Sequence, residues 1–320
     1  MNNGMKKNSL LIAALAGVMC WAGCMKVEEE LIDPIPEEPI AAAIDSVWTV
    51  SLQALKSDVP QTKGLAIGDG DDEGNTTTLK SIWKAGEEVK VFLESACIGT
   101  LTATPDAEDA HKATLSGTVT TTSLVAGTST ITLLTPRETW DYTGQAGTLL
   151  EAPNSIEKMY HYTAATGVLV KAVDTENNTI TTDNATFVNQ QSIYRFSFRH
   201  KKSEESKTPI TAKSLTITSA NGHLVQSQAV DGSSLAEGPI AVTLSAASAD
   251  PFFVALRNGD ETNVEALTFT VIDADGVTYR GSKTIPAEYK RSGSFVSAKN
   301  ASLDQRLQLA QSTTGVDTVL

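Results

Sequence analysis

Cys24 is the residue whose chemistry is clearest from its surroundings. It directly follows the segment 10–23, a run of 14 residues without a charge that two lysines precede. Because a membrane-spanning helix needs about 20 apolar residues, this run is too short to span a bilayer and is typical of a secretion signal over residues 1–23. The two residues before Cys24 are small and admit a peptidase, so we expect cleavage there and a lipid on the Cys24 thiol.

The sequence around Cys24 resembles a bacterial lipobox, with Trp21 where leucine is usual. Acyl chains on this thiol would anchor the protein, since each buried methylene contributes about 0.8 kcal/mol. The acidic, proline-rich residues 24–44 predict an extended tether, and residues 28–30 (EEE) resemble the surface-export signal of Bacteroidota-type lipoproteins. We therefore expect a lipid-anchored protein exposed on the cell outer membrane. An ordinary signal peptide with an incidental cysteine remains the alternative.

Other chemically suggestive groups predict no catalytic, metal-binding or cofactor-binding residue. Residues 69–74 (DGDDEG) place oxygens at positions 1, 3 and 5 of a calcium loop, but position 12 is Lys80, so we favour a solvated acidic loop. Zinc-type spacing, a serine elbow and nucleotide motifs are absent, and we expect no enzyme. Four aromatic residues favour core packing over a platform for sugar rings: Trp140, Tyr142, Tyr160 and Tyr162.

Composition favours an extracellular protein that does not bind nucleic acid. The formal net charge is −13, and removal of residues 1–23 takes away two lysines and no acid, which leaves −15. Such a chain repels nucleic acid and anionic membrane surfaces. Cys97 is the only cysteine beyond the lipid site, so stability must come from burial rather than from an intrachain disulfide.

Period-two patterns predict an all-β fold. Trp48, Val50, Leu52 and Ala54 alternate with polar residues, which indicates a strand over 46–54 with one buried face. Asn221-Gly222 and Asp275-Gly276 separate apolar runs and predict hairpin turns. Similar alternating runs lie at 88–93, 130–134, 193–198, 214–218, 240–244, 252–256 and 267–272.

The chain is long enough for two β-sandwich domains. A polar patch at 174–186 predicts a boundary near residue 186. We therefore expect an N-terminal domain over 45–186, a C-terminal domain over 187–303 and a polar tail over 304–320.

Three segments together resemble signatures of the fimbrillin family of Bacteroidota-type bacteria. They are IWKAGEEVKVF at 82–92, DYTGQAGTL at 141–149 and FVNQQSIYRF at 187–196. With the lipobox, the resemblance covers most of the chain. It implies an outer-membrane lipoprotein with two transthyretin-like β-sandwich domains.

The resemblance also implies a mode of assembly. Polymerising fimbrillins lose their first strand to an arginine-specific protease, and the groove left behind accepts a strand from another subunit. Here the candidate removable strand is 46–54, but the first arginine is Arg137. Either another protease cleaves between Lys63 and Gly64, or the strand is kept. Residues 313–320 are either a donor strand or a polar tail, and we favour the tail.

Two functions follow as expectations. The first is a structural or accessory component of fimbriae, an anchor or tip used in adhesion, whose partners are other fimbrial subunits or copies of itself joined by strand exchange. The alternative is a lipid-anchored binding module that does not polymerise and that recognises glycans or host proteins.

Overall fold

The fold is known from a computed structural model, which describes residues 46–56, 65–67, 79–201, 207–259, 265–290, 295–296 and 307–311. Almost all regular structure in these residues is β-strand, which confirms the all-β prediction. The helical elements described are a π-helical turn, Ile156–Tyr160, and a short α-helix, α1 (Ala287–Lys290). Neither approaches the length and apolar character that crossing a membrane requires.

The strands follow one another closely along the chain. The first eleven are β1 (Ser46–Lys56), β2 (Leu65–Ile67), β3 (Leu79–Ser81), β4 (Glu88–Leu93), β5 (Ala96–Pro105), β6 (Lys112–Thr121), β7 (Thr130–Thr135), β8 (Thr139–Asp141), β9 (Thr163–Asp174), β10 (Thr179–Thr182) and β11 (Ala185–Asn189). The next twelve are β12 (Ser192–Phe196), β13 (Phe198–Lys201), β14 (Lys207–Pro209), β15 (Ala212–Ser219), β16 (Val225–Ala229), β17 (Ala236–Glu237), β18 (Ile240–Ser248), β19 (Phe252–Leu256), β20 (Glu265–Asp273), β21 (Thr278–Ile285), β22 (Phe295–Val296) and β23 (Leu307–Gln311).

The first large sheet closes on itself through β1. Strands β6, β5, β4, β7 and β9 are neighbours in that order, and β9 pairs with both β10 and β11. Strand β1 pairs antiparallel with β6 and parallel with β10 and β11, which joins the two ends of the sheet. Closure removes the exposed backbone edge that an open sheet would present.

Alternation along these strands explains the core that the closed sheet surrounds. Successive side chains of a strand point to opposite faces, so every second residue of β1 is inside. The four apolar inward residues belong to one apolar cluster that also contains Val89, Val91, Leu101, Leu115 and Val119. Burial of this cluster, rather than disulfide bonds, stabilises the sheet.

The second half of the chain contributes a seven-stranded sheet and a three-stranded sheet, and its strands β16 and β17 form another three-stranded sheet with β8. The strand orders are β14-β13-β23-β21-β20-β15-β18 and β19-β12-β22. Asp275-Gly276 connects the paired strands β20 and β21, which confirms that hairpin turn. Asn221-Gly222 lies between β15 and β16, which belong to different sheets, so the hairpin prediction there is wrong. Within the predicted polar tail 304–320, the structure has the strand β23.

The predicted domain boundary falls inside a strand. Residue 186 lies in β11, which pairs with β1 and β9 of the closed sheet. The described residues all belong to one compact unit. A large apolar cluster contains residues from both halves, including Phe92, Leu134, Phe196 and Phe269. The division into two domains stays a prediction.

Candidate functional site

The candidate site is β1 and the walls that hold it, because β1 is the strand that closes the sheet. Its pairing with β6 is antiparallel and runs from Ser46 opposite Thr121 to Leu55 opposite Lys112. On the other side, Thr49 and Val50 pair with β10, and the end of the strand pairs with β11. Both backbone edges of β1 are therefore engaged.

The four residues that the sequence predicts as the inner face of the first strand are all buried. We call Trp48, Val50, Leu52 and Ala54 the apolar stripe; their exposed fractions are 9%, 1%, 5% and 3%. The Trp48 indole Nε1 also donates to the carbonyl of Thr121 at 3.0 Å. The prediction of an alternating strand with one buried face is confirmed, and the strand continues to Lys56.

The walls around β1 supply what an extended segment needs. Strand β6 on one side and β10 with β11 on the other present backbone donors and acceptors that β1 satisfies. On β6, Leu115 lies opposite Leu52 and Val119 lies opposite Trp48. On β10, Ile180 is in register with Val50. Without β1 this region would be a groove with unpaired backbone groups and apolar walls.

Lys56, the last residue of β1, is an inward-facing charge with 1% of its side chain exposed. Its ammonium Nζ donates to the carbonyl of Ile82 at 2.7 Å and to the Glu87 carboxylate at 3.0 Å. It also lies 3.8 Å from the centroid of the Trp83 ring, a cation–π arrangement. Burial lowers the Lys56 pKa from 10.5 to about 8, against the opposing effect of Glu87. We call Trp83, Glu87 and the carbonyl of Ile82 the end pocket.

The first resemblance segment builds this end pocket. The Trp83 backbone amide donates to Ala110 at 2.7 Å, and its ring packs edge-on against Phe187 with centroids 5.0 Å apart. Gly86 has a φ of +77°, which glycine adopts without strain, and its amide donates to Ala103. This turn places the Glu87 carboxylate within hydrogen-bonding distance of the Lys56 ammonium at the end of β1.

The second resemblance segment covers two sheet edges in the other half of the chain. The carbonyl of Gln145 accepts from Thr243 of β18 at 3.0 Å, and that of Gly147 accepts from Phe253 of β19 at 2.9 Å. The buried Gln145 side chain exchanges two bonds of 2.8 Å with the backbone of Ala255. A side-chain amide thus takes the place of one strand residue at the β19 edge.

Gly147 is required at this contact for two reasons. Its φ is +77°, and a Cβ there would lie 2.3 Å from Leu244 Cδ2 and 3.2 Å from Phe252 Cβ. Any larger residue would therefore meet both backbone strain and overlap.

The third resemblance segment supplies Gln191, which joins two tyrosines. Its Oε1 accepts from the Tyr142 hydroxyl at 3.2 Å and from the Tyr162 amide at 2.9 Å. Burial raises the pKa of the Tyr162 hydroxyl to about 12. Trp140 and Tyr160 are buried as well, with 6% and 4% exposed. The four aromatic residues therefore fill core positions, as the sequence favoured, and form no exposed platform.

Other candidate chemistry is sparse in the part of the chain that the structure describes. No group of three or more histidine, cysteine or acidic residues there could hold a metal ion. Cys97 is exposed and makes no disulfide. A surface cavity of about 380 Å³ borders Glu87, and its lining includes Lys84, Glu157 and Lys158. Lys84 and Glu157 form an ion pair with each other.

Several predicted residues lie outside the described residues. They are Cys24, the signal peptide and tether over residues 1–44, Lys63 and Gly64, the acidic loop 69–74 and residues 313–320. These remain predictions.

The role of Lys56 was not predicted from the sequence, and the structure places its ammonium in the end pocket. The available signal was its position: Lys56 continues the alternation of the apolar stripe and therefore had to face inward.

No protein-family model and no curated protein sequence matches the chain. Among solved structures, a candidate cell adhesion protein from Bacteroides uniformis is 13% identical, with a TM-score of 0.34 over 72% of this chain and 83% of that one. A candidate adhesin from Bacteroides ovatus is 10% identical, with a TM-score of 0.38 over 84% and 89%. Candidate polysaccharide-binding proteins from Bacteroides thetaiotaomicron are 10% identical, with a TM-score of 0.34 over 82% and 90%. Similarities of this size carry no argument about function.

Proposed function

We propose that this chain is a lipid-anchored surface protein that takes part in a fimbrial assembly, with the position of β1 as the place where strands are kept or exchanged. The observation that supports the proposal is the double pairing of β1. A single strand, near the start of the described chain, closes the sheet from both sides. Cys24 is the proposed attachment point to the outer membrane.

The position of β1 suits strand exchange for a physical reason. Removing a strand from the middle of a sheet exposes two rows of backbone groups, and leaving them unpaired is costly. A donated strand with alternating apolar residues satisfies both the backbone groups and the apolar walls. Assembly by this route needs no reactive side chain.

A second candidate function is supported by the end pocket. Lys56 is buried and bound to Glu87, so β1 is held at its end as well as along its length. A chain that keeps β1 has no open groove at this place. It would act as an anchor or terminal subunit, or as a binding module for glycans or host proteins that does not polymerise.

The N-terminus of the surface form tests the proposal. Mass spectrometry of protein released from intact cells should find either an acylated Cys24, with β1 retained, or a chain that begins near Gly64, with β1 removed. A start near Gly64 supports a polymerising subunit, and an acylated Cys24 supports an anchor, a terminal subunit or a binding module.

Electron microscopy and crosslinking of the same cells separate the remaining cases. Fibres or higher oligomers that contain this chain support the fimbrial role. If producing cells show neither, the fimbrial role is wrong, and a glycan array or a host-protein pull-down then tests the binding module.

A further inference from the structure

The surface cavity of about 380 Å³ that borders Glu87 has a polar lining of its own. Its walls come from the turn before β4, from Pro136 just after β7, and from the π-helical turn Ile156–Tyr160. Cavities that bind small molecules usually have volumes of about 300–1,000 Å³, so this one suits a small ligand.

An ion pair supplies the main polar groups of this cavity. The Glu157 side chain is 6% exposed, and its Oε1 accepts from the Lys84 ammonium. Its Oε2 accepts from the backbone amide of Glu151 at 3.2 Å. The Lys84 side chain is 52% exposed and reaches Glu157 from the surface. A carboxylate can accept about four hydrogen bonds and an ammonium can donate three, and these bonds use only part of that capacity.

The backbone that positions Glu157 is unusual in two respects. The π-helical turn is a rare geometry that occurs frequently at functional sites. Glu151 has a φ of +65°, in the left-handed region that is unfavourable for a residue with a side chain, and its carbonyl accepts from Lys158 Nζ at 2.8 Å. Because a buried ion pair contributes little net stability, this arrangement is better explained by binding than by folding.

The charged groups that border the cavity select the class of ligand. Its lining contains three carboxylates and two ammonium groups, which belong to Glu87, Glu88, Glu157, Lys84 and Lys158. The Glu87 carboxylate already accepts from the Lys56 ammonium and from the Thr135 hydroxyl. An ion of either sign would meet groups of its own charge. An apolar ligand would take water from the ion pair without replacing its hydrogen bonds, which is unfavourable. The lining therefore favours a neutral ligand that both donates and accepts.

We propose that this cavity binds the ring of a neutral sugar, with the Lys84–Glu157 ion pair as its hydrogen-bonding group. Each sugar hydroxyl both donates and accepts. Of two neighbouring hydroxyls on the ring, one donates to the Glu157 carboxylate and the other accepts from the Lys84 ammonium. Pro136 and Ala85 supply apolar contacts for the C–H groups of the ring.

The proposal rests on the second candidate function, the binding module, and names the class and the place of its ligand. The lining residues lie between residues 84 and 158 of the chain, outside β1. Sugar binding and strand exchange can therefore be tested separately.

Saturation-transfer NMR with the full-length chain tests the sugar site. The probes are glucose, galactose, mannose, fucose and N-acetylglucosamine at millimolar concentrations, and titration gives their affinities. Glucuronate, glucosamine and cyclohexanol are the matched probes that carry a negative charge, a positive charge or a largely apolar ring. The variants are Lys84→Met and Glu157→Gln. The control is Lys171→Met, which removes one partner of the exposed Lys171–Asp183 ion pair outside the cavity.

We expect at least one neutral sugar to bind more tightly than glucuronate, glucosamine and cyclohexanol. Lys84→Met and Glu157→Gln should each weaken its binding at least about tenfold, because hydrogen bonds to charged groups are the strong ones. Lys171→Met should change it by less than about twofold, because exposed ion pairs contribute little. Thermal unfolding checks that each variant is folded. If Glu157→Gln is unstable, Lys84→Met decides, because about half of its side chain is exposed.

The absence of a signal from every neutral sugar, or tighter binding of a charged or apolar probe, would overturn the neutral-sugar site. Sugar binding that is unchanged in Lys84→Met would overturn the site but support the binding module. Failure of the binding module itself gives a different result, since neither a glycan array nor a host-protein pull-down would then return a ligand.

Discussion

The pH dependence of stability is the most direct measure of how Lys56 is held. Burial lowers its pKa to about 8 in the folded protein, from an ordinary value of 10.5 in an exposed chain. We compare the wild-type protein with Lys56→Met, which fills a similar volume without a titratable group. The difference between their free energies of unfolding isolates the titration of Lys56.

The sign follows from proton counting. Between pH 8 and 10.5 the unfolded chain keeps the Lys56 proton while the folded protein has lost it, so the free energy of unfolding rises with pH in this window. Below pH 8 both states are protonated, and the contribution is constant. A difference of 2.5 pKa units at about 1.4 kcal/mol per unit gives a total gain of about 3 kcal/mol by pH 10.5.

Urea unfolding at pH 7, 8, 9 and 10 measures this gain, with Lys90→Met as the control. Lys90 belongs to the same sheet but pairs near the surface with Glu88, which is 63% exposed. The raised pKa of Tyr162 works in the opposite direction above pH 10, and it cancels because all three proteins contain that residue. A wild-type advantage over Lys56→Met that stays flat or falls between pH 8 and 10 would refute the account of Lys56.

Three further predictions concern packing and anchoring. Gly147→Ala should lower the free energy of unfolding by about 1–3 kcal/mol more than Gly86→Ala, because both glycines have φ +77° but only Gly86 has open space where a Cβ would lie. Thermal unfolding compares the two variants, and equal losses of stability would contradict the predicted overlap at Gly147. In urea unfolding, Leu52→Ala should lower the free energy of unfolding by about 2–5 kcal/mol, whereas Ser51→Ala at an exposed position should lower it by less than about 0.5 kcal/mol. If neither change affects the stability of the mature form, β1 has been removed from it. Cys24→Ala should move the protein from the membrane fraction to the soluble fraction on immunoblots, and unchanged membrane retention would defeat the lipid anchor.

Local patterns predicted the strands well where one face is buried. The alternation at 46–54 became β1, and the runs at 88–93 and 252–256 became β4 and β19 with the same bounds. Threonine-rich β5 and β6 were not singled out, because two of their inward positions are only alanine. The period-two signal depends on contrast between the faces, and small inward residues weaken it.

Closure of the first sheet could not be predicted from the same patterns. Strand β1 meets β6 about 65 residues later in the chain and β10 about 130 residues later, and period two says nothing about which strands pair. The end pocket was missed for a related reason. The partners of the Lys56 ammonium, Glu87 and Trp83, come from the segment around Gly86, which the pattern of β1 alone does not contain.

The end pocket also determines the register of whatever strand lies in the groove. A slip of one residue turns the apolar stripe outward and is excluded by burial. A slip of two residues keeps every inward side chain inward, so the backbone ladder and the apolar walls resist it only weakly. Such a slip toward the end pocket would carry Lys56 past Glu87 and bring Ala54 to the ammonium position. The Lys56–Glu87 ion pair forms in the native register of β1 and therefore distinguishes two arrangements that hydrophobic burial alone leaves nearly equal.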